Sequence, residues 1–269
     1  MKNLWKRFKA ILLAIMYVAI YILVSLGVQI VYMVWRTFVT GESLSEISVD
    51  VVNNAYALTI ISVIIAFWIY LLIGSKRKCT IEKIAENIKT PPIVGLMAAC
   101  CAVGLRMLVT VYYHYSQNVA FLKKSIDEAS AITPELTGTW QMLIALFAIA
   151  IIIPMFEELL FRVLVMRELK NVMRSWAAIG LQAILFGVAH GVAFQSLFTF
   201  VIGIVLGIIY HRTKSFNAIV TCHGVFNLSV VMTLSELNLT TSIIVTVLGL
   251  LLVGVSLFYI LENSKKHSD

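Results

Sequence analysis

Charge is what this chain has little of: 13% of its 269 residues are charged, while 60% are hydrophobic. A soluble domain is about 25% charged and about 45–50% apolar, so a water-soluble globular fold is excluded. Cysteine is used without a C-x-x-C or zinc-ribbon spacing. Cys79, Cys100, Cys101 and Cys222 sit in or beside apolar stretches, as reduced small core residues do, and no disulfide framework is expected. A His-Glu-x-x-His pair is absent, which excludes the zincin arrangement, and no Gly-x-Ser-x-Gly elbow is present for serine chemistry. Internal repeats, low-complexity tracts and a soluble domain are also missing. A net charge of +7 could suggest nucleic acid, but the basic residues fall in short runs between apolar stretches. That is the pattern of membrane topogenesis rather than of a basic face.

What is present is a series of apolar runs. About eight reach or approach the roughly 20 residues that a bilayer requires. They lie near Ala10–Trp35, Ala55–Gly74, Ile93–Tyr115, Thr139–Met166, Trp176–Phe194, Leu197–Tyr210, Phe216–Leu234 and Thr241–Leu261, the sixth being short. The expected fold is all-α, a polytopic membrane protein of about eight transmembrane helices. The first run is too long for a signal-peptide core and lacks a small-residue cleavage site, so it is read as retained.

Orientation follows from the basic residues. With the N-terminus inside, the cytoplasmic segments hold Lys2, Lys6, Arg7, Lys9, Lys76, Arg77, Lys78, Lys83, Lys89, Arg167, Lys170, Arg174, Arg212, Lys214, Lys265 and Lys266. The outer segments hold Arg36, Lys123 and Lys124, beside Glu42, Glu46, Asp50, Asp127, Glu128, Glu135 and Glu236. The positive-inside rule therefore puts both termini in the cytoplasm. Three parts are expected: an N-terminal three-span region over 1–138, a helical core over 139–262 and a cytoplasmic tail over 263–269.

The chemistry-bearing residues all follow Thr139. Glu157, Glu158 and Arg162 interrupt an apolar run, where each ionisable residue costs about 2.5–3.5 kcal/mol. On a helix, Glu158 and Arg162 are i,i+4 neighbours, so the arginine can neutralise that carboxylate. Glu157 points about 100° away and is left to face a partner on another span, as a general base must. Pro154 is expected to kink the helix or loosen its hydrogen bonding just before the pair. Phe186 and His190 share one helical face, and Gly187 and Gly191 beside them permit close helix approach. His223 and Asn227 form a second i,i+4 pair, both able to donate to a developing oxyanion, although such a pair can also simply join helices. Arg106 is read as structural. His114 and His211 are read as interfacial, and Trp35, Tyr112, Tyr113, Tyr115 and Trp140 as an aromatic belt.

In that order and on successive apolar segments, Glu157-Glu158-Leu-Leu-Phe-Arg162, Phe186-Gly-Val-Ala-His190 and His223-Gly-Val-Phe-Asn227 resemble the CPBP family. That family, also called Abi, comprises CAAX prenyl endopeptidases, bacteriocin-processing enzymes and their bacterial relatives. The resemblance covers roughly Thr139 to Leu234, and the first three spans match nothing. It implies an intramembrane endopeptidase that cuts a membrane-associated protein or peptide near the cytoplasmic face. Glu157 and His190 would hold and activate water, Glu158 and Arg162 would orient the first motif, and His223 with Asn227 would stabilise the oxyanion. Phe186 would border the substrate. No cofactor is needed in the preferred glutamate mechanism. Zinc is the alternative, with Glu157, His190 and His223 as ligands, since two His and one Glu occur in catalytic zinc sites. The implied setting is the plasma membrane of a bacterium. The expected partners are the lipid bilayer and a membrane-associated substrate, without nucleic acid. Two other classes stand beside this one: a non-catalytic bacteriocin-immunity or membrane scaffold protein, and a transporter with a proton relay. The absence of inverted-repeat symmetry counts against the transporter.

Overall fold

The computed structural model describes residues 2–75, 90–136, 138–229 and 237–265, and every regular element among them is helical. We number the helices α1 (Lys2–Thr40), α2 (Leu44–Asn53), α3 (Ala55–Ser75), α4 (Pro92–Ser116), α5 (Ala120–Ala131) and α6 (Thr139–Lys170). There follow α7 (Ser175–Ala189), α8 (Ala193–Thr213), α9 (Phe216–Leu228) and α10 (Leu239–Lys265). Among the described residues, six helices are long and apolar enough to cross a membrane: α1, α3, α4, α6, α8 and α10. Large apolar side chains such as Leu23, Phe38, Trp68, Leu251 and Phe258 face outward, as residues in contact with lipid do. The chain is a multi-pass, all-helical membrane protein.

The two remaining expected spans are shorter helices. The run Trp176–Phe194 folds as α7, which ends at Ala189 because Gly191 adopts a positive φ of 80° and turns the chain into α8. The run Phe216–Leu234 folds as α9 up to Leu228, and residues 230–234 lie outside the described residues, as do Cys79, Lys76, Arg77, Lys78, Lys83, Lys89, Glu236 and Lys266. The segments read as outer loops contain α2 and α5. α2 is fixed by a capping box, in which the Ser43 hydroxyl accepts from Glu46 N–H while the Glu46 carboxylate accepts from Ser43 N–H.

Polar and aromatic contacts define the two ends of the bundle. At one end Thr90, before α4, is hydrogen-bonded through its hydroxyl to Ser215, before α9. Lys170, closing α6, meets His211 near the end of α8 there. At the other end Tyr112 of α4 stacks on Phe194 of α8, 5.0 Å between centroids, and Ser125 of α5 accepts from Phe194 N–H. Between the ends, helices close on small residues, the packing that membranes favour where lipid removes the hydrophobic drive. A Cβ on Gly104 of α4 would come within 2.8 Å of Gly249 O on α10. The N-terminal helices reach the site helix through aromatics. Tyr21 of α1 and Tyr70 of α3 both pack on Phe156 of α6, at 4.8 and 5.9 Å.

Candidate active site

Pro154 sets the local geometry from which the site is built. Having no N–H, it cannot complete the helical ladder, and α6 widens ahead of it into a π turn over Ala148–Ile152. Within that turn Ile153 N–H donates to Ala148 O, five residues back. Ile149 O would by the same register look to residue 154, the proline. Asn227 of α9 supplies the missing donor, its Nδ2 lying 3.2 Å from Ile149 O. Gly224, one turn earlier, lets α9 lie against the same row of carbonyls, since a Cβ there would sit 2.4 Å from Ala150 O. The carbonyl that the proline leaves without a donor is thus one of the points at which α9 docks on α6.

A second π turn, Leu159–Val165, follows Glu158. Inside it Arg162 Nη1 donates to Glu158 Oε1 at 2.9 Å, and both side chains are 0% exposed. Buried charges are tolerable only when paired and hydrogen-bonded, and Arg162 gathers further partners. Its Nη2 donates to Gly203 O of α8 at 3.4 Å, and its guanidinium lies 4.6 Å over the Phe186 ring. Gln182 of α7 donates to the same Gly203 carbonyl at 2.8 Å and to Ile179 O at 3.0 Å.

His223 joins the two glutamates. Its Nδ1 lies 2.7 Å from Glu158 Oε1, and its Nε2 lies 3.5 Å from Glu157 Oε2. Against the carboxylate Nδ1 is the donor, which leaves Nε2 facing Glu157, and only a doubly protonated ring donates from Nε2 as well. Glu157 retains 14% exposure where its neighbour has none. His190 follows the last turn of α7, its Nδ1 2.8 Å from Phe186 O. A carbonyl only accepts, so Nδ1 carries the hydrogen and Nε2 of the neutral ring keeps a lone pair. Phe186 is buried at the centre, edge-on to His190 at 4.8 Å, His223 at 5.8 Å and Phe161 at 5.0 Å.

Glu157, His190, His223 and Asn227 line one cavity of about 310 Å3, together with Phe186 and Arg106. Glu158 and Arg162 stand behind its wall. Tyr56 in the first turn of α3, Thr133 after α5 and Gln195 in the first turn of α8 also line it, so it lies towards the end of the bundle away from Lys170 and Lys214. Two sequence expectations therefore pull apart: a basic end in the cytoplasm and a cut near the cytoplasmic face.

The alternative zinc set of Glu157, His190 and His223 is not assembled here. Among the described residues, no three His, Cys, Asp or Glu side chains are grouped to hold a metal ion. Both nitrogens of His223 face carboxylates, and His190 forms no ion pair with Glu157. The donor arrangement does not fit zinc.

Sequence reasoning overlooked Gln182, although a polar residue one turn before Phe186 on an apolar helix was the available signal. It did not single out Tyr56, Thr133 or Gln195, which come from segments without any motif.

Residues 139–229 match the family model for type II CAAX prenyl endopeptidase Rce1-like proteins. That stretch spans α6 to α9 and contains all of the site residues from Glu157 to Asn227. Comparison with curated proteins and with solved structures found no match.

Proposed function

We propose that this chain, whose residues 139–229 form an Rce1-like domain consistent with the CPBP family, is an intramembrane endopeptidase acting on a membrane-associated protein or peptide. The observation that carries the reading is the exposure of Glu157 to the cavity while Glu158, one residue on, is sealed against Arg162 and His223. Two adjacent carboxylates thereby serve different tasks.

In the proposed reaction a water molecule is held by the Glu157 carboxylate and the lone pair of His190 Nε2. Glu157 takes its proton as the oxygen attacks the scissile carbonyl. The oxyanion so formed meets the second amide hydrogen of Asn227, the first being held by Ile149 O, and, with the His223 ring doubly protonated, the N–H at Nε2. Collapse of the tetrahedral intermediate breaks the C–N bond, and the proton on Glu157 passes to the leaving amine. Glu158 does not touch the substrate. Held by Arg162, it fixes the ring of His223 through Nδ1, as an acidic partner does for a catalytic histidine. Phe186 forms the apolar wall on which both imidazoles rest. The proposed setting is the plasma membrane of a bacterium.

The test uses purified protein and a panel of membrane-anchored peptides, with Glu157→Gln in parallel and each reaction run with and without a chelator. Cleavage by the native chain that persists with chelator and vanishes in the variant supports the reading. Undiminished cleavage by Glu157→Gln would refute the base assignment, and no cleavage of any peptide would count against hydrolysis itself.

A further inference from the structure

The two ends of the bundle carry different charge, and the cavity belongs to one of them. Lys6, Arg7 and Lys9 begin α1, Arg167 and Lys170 close α6, Arg174 precedes α7, and Arg212 and Lys214 close α8. Tyr17 packs on Tyr70 late in α3, Tyr32 and Trp35 share a pocket with Leu58 early in α3, and α1 also touches Met166–Lys170, so all of these basic groups share an end. Lys170 Nζ and Lys214 Nζ converge on His211 Nδ1 at 3.1 and 3.5 Å, and among the described residues neither lysine pairs with a carboxylate. At the opposite end Arg36 is tied to Glu42 at 2.8 Å and Asp50 at 3.1 Å, and Lys123 and Lys124 stand among Asp127, Glu128 and Glu135. Lys and Arg close to span ends stay in the cytoplasm, and Asp and Glu weigh little in that rule. The Lys170 end is therefore the cytoplasmic one.

The cavity faces the other way. Its lining includes Tyr56, Thr133 and Gln195, all beside the acidic end, and Thr133 is exposed. His190 follows the last turn of α7, and Asn227 lies in the last turn of α9, again at that end. Towards the cytoplasmic end the path is filled. Below Glu157 the buried side chains of Leu160, Phe161, Val165, Met166 and Leu169 occupy the core, and the sealed Glu158–Arg162 pair stands among them. The cavity beside Glu157 is thus lined from the acidic end, with packed side chains between it and the basic end.

We propose that the reaction cavity is entered from the non-cytoplasmic side, so that its substrate is an exported or membrane-inserted polypeptide presenting its scissile bond in the outer half of the bilayer. This reverses the cytoplasmic cut that the family resemblance implies. The nature of the substrate rests on the proposed hydrolysis, whereas the side of entry does not.

Cysteine labelling in intact cells separates the two. In a Cys79→Ser background, Thr133→Cys and Gln195→Cys report the mouth and Arg212→Cys the basic end, read with a membrane-impermeant maleimide before and after lysis. The remaining cysteines are buried or half-buried, and the background chain without an added cysteine sets the baseline. The expected result is labelling of the two mouth positions in intact cells to the level reached after lysis, with Arg212→Cys labelled only after lysis. The opposite pattern overturns the proposal. Thr133→Cys replaces an exposed side chain, so it answers even where Gln195→Cys fails to fold. A second arm supplies an anchored peptide to the outside of spheroplasts. Outer labelling without cleavage leaves the side of entry standing and counts against the hydrolase reading instead.

Discussion

Replacing Arg162 by methionine tests the energetic core of the site. Methionine keeps much of the volume and removes the cation, leaving Glu158 fully buried with His223 as its remaining partner. Three contacts disappear: the 2.9 Å bond to Glu158, the 3.4 Å bond to Gly203 O and the stacking 4.6 Å over Phe186. The dominant loss is the counter-charge, because breaking a buried pair from one side costs about 3–5 kcal/mol. For a chain of this size a destabilisation of 1 kcal/mol lowers Tm by about 2–4 °C, so the expected fall is roughly 6–20 °C. Thermal unfolding of the detergent-solubilised protein measures it directly. A Glu158→Gln/Arg162→Met double variant should recover part of the loss, since a neutral pair leaves no orphaned charge. If Arg162→Met shifts Tm no more than an exposed substitution does, or if the double variant falls by the sum of the singles, the pair is not the buried counter-charge described above.

The other expectations concern turnover, packing and pH. Asn227→Ala should lower kcat by about 10²–10³-fold, as loss of one oxyanion donor does, and a full-rate variant in a peptide assay would remove Asn227 from that role. Gly224→Ala sets a methyl group 2.4 Å from Ala150 O, so α9 must move; overpacking of this kind costs about 1–3 kcal/mol, visible as a lower Tm together with reduced turnover. Lys214, just beyond α8, is pushed down from 10.5 to about 8 by desolvation and then by the neighbouring ammonium of Lys170. A lysine whose folded value is depressed binds fewer protons folded than unfolded between those limits, so stability should rise as pH climbs from about 8 towards 10.5. Tm measured across that range should show the rise in the native chain and lose it in Lys214→Gln.

Much of the site was legible because its residues are expensive. A carboxylate or an arginine in an apolar helix must have a partner, and i,i+4 spacing named Arg162 as the partner of Glu158. Spacing along one helix says nothing about which residue on another helix it meets. That His223 grips both glutamates depends on where α9 docks, and that docking uses the one carbonyl that Pro154 leaves without a donor and the close approach that Gly224 permits. The proline was readable as a disturbance, but the π turn it produces and the use of Ile149 O by Asn227 are tertiary events. α2 and α5 were missed for another reason. Their segments are too polar for a membrane signal, and the capping box of Ser43 and Glu46, which marks the start of α2, was not weighed.

The π turns of α6 bear on how such a chain can be altered by insertion or deletion. Each is a point where one residue more than an α-helix needs has been taken into a turn, so the extra residue is absorbed locally and the flanking helix keeps its facing. Deleting one residue within Ala148–Ile152 would narrow the turn and shorten α6 with little rotation of Glu157 and Glu158, although Pro154 would still leave one carbonyl without a backbone donor. The same deletion in a regular α-helical stretch turns everything beyond it by about 100°. Tolerance to a one-residue deletion along α6 should therefore be highest where its hydrogen bonding is least ideal.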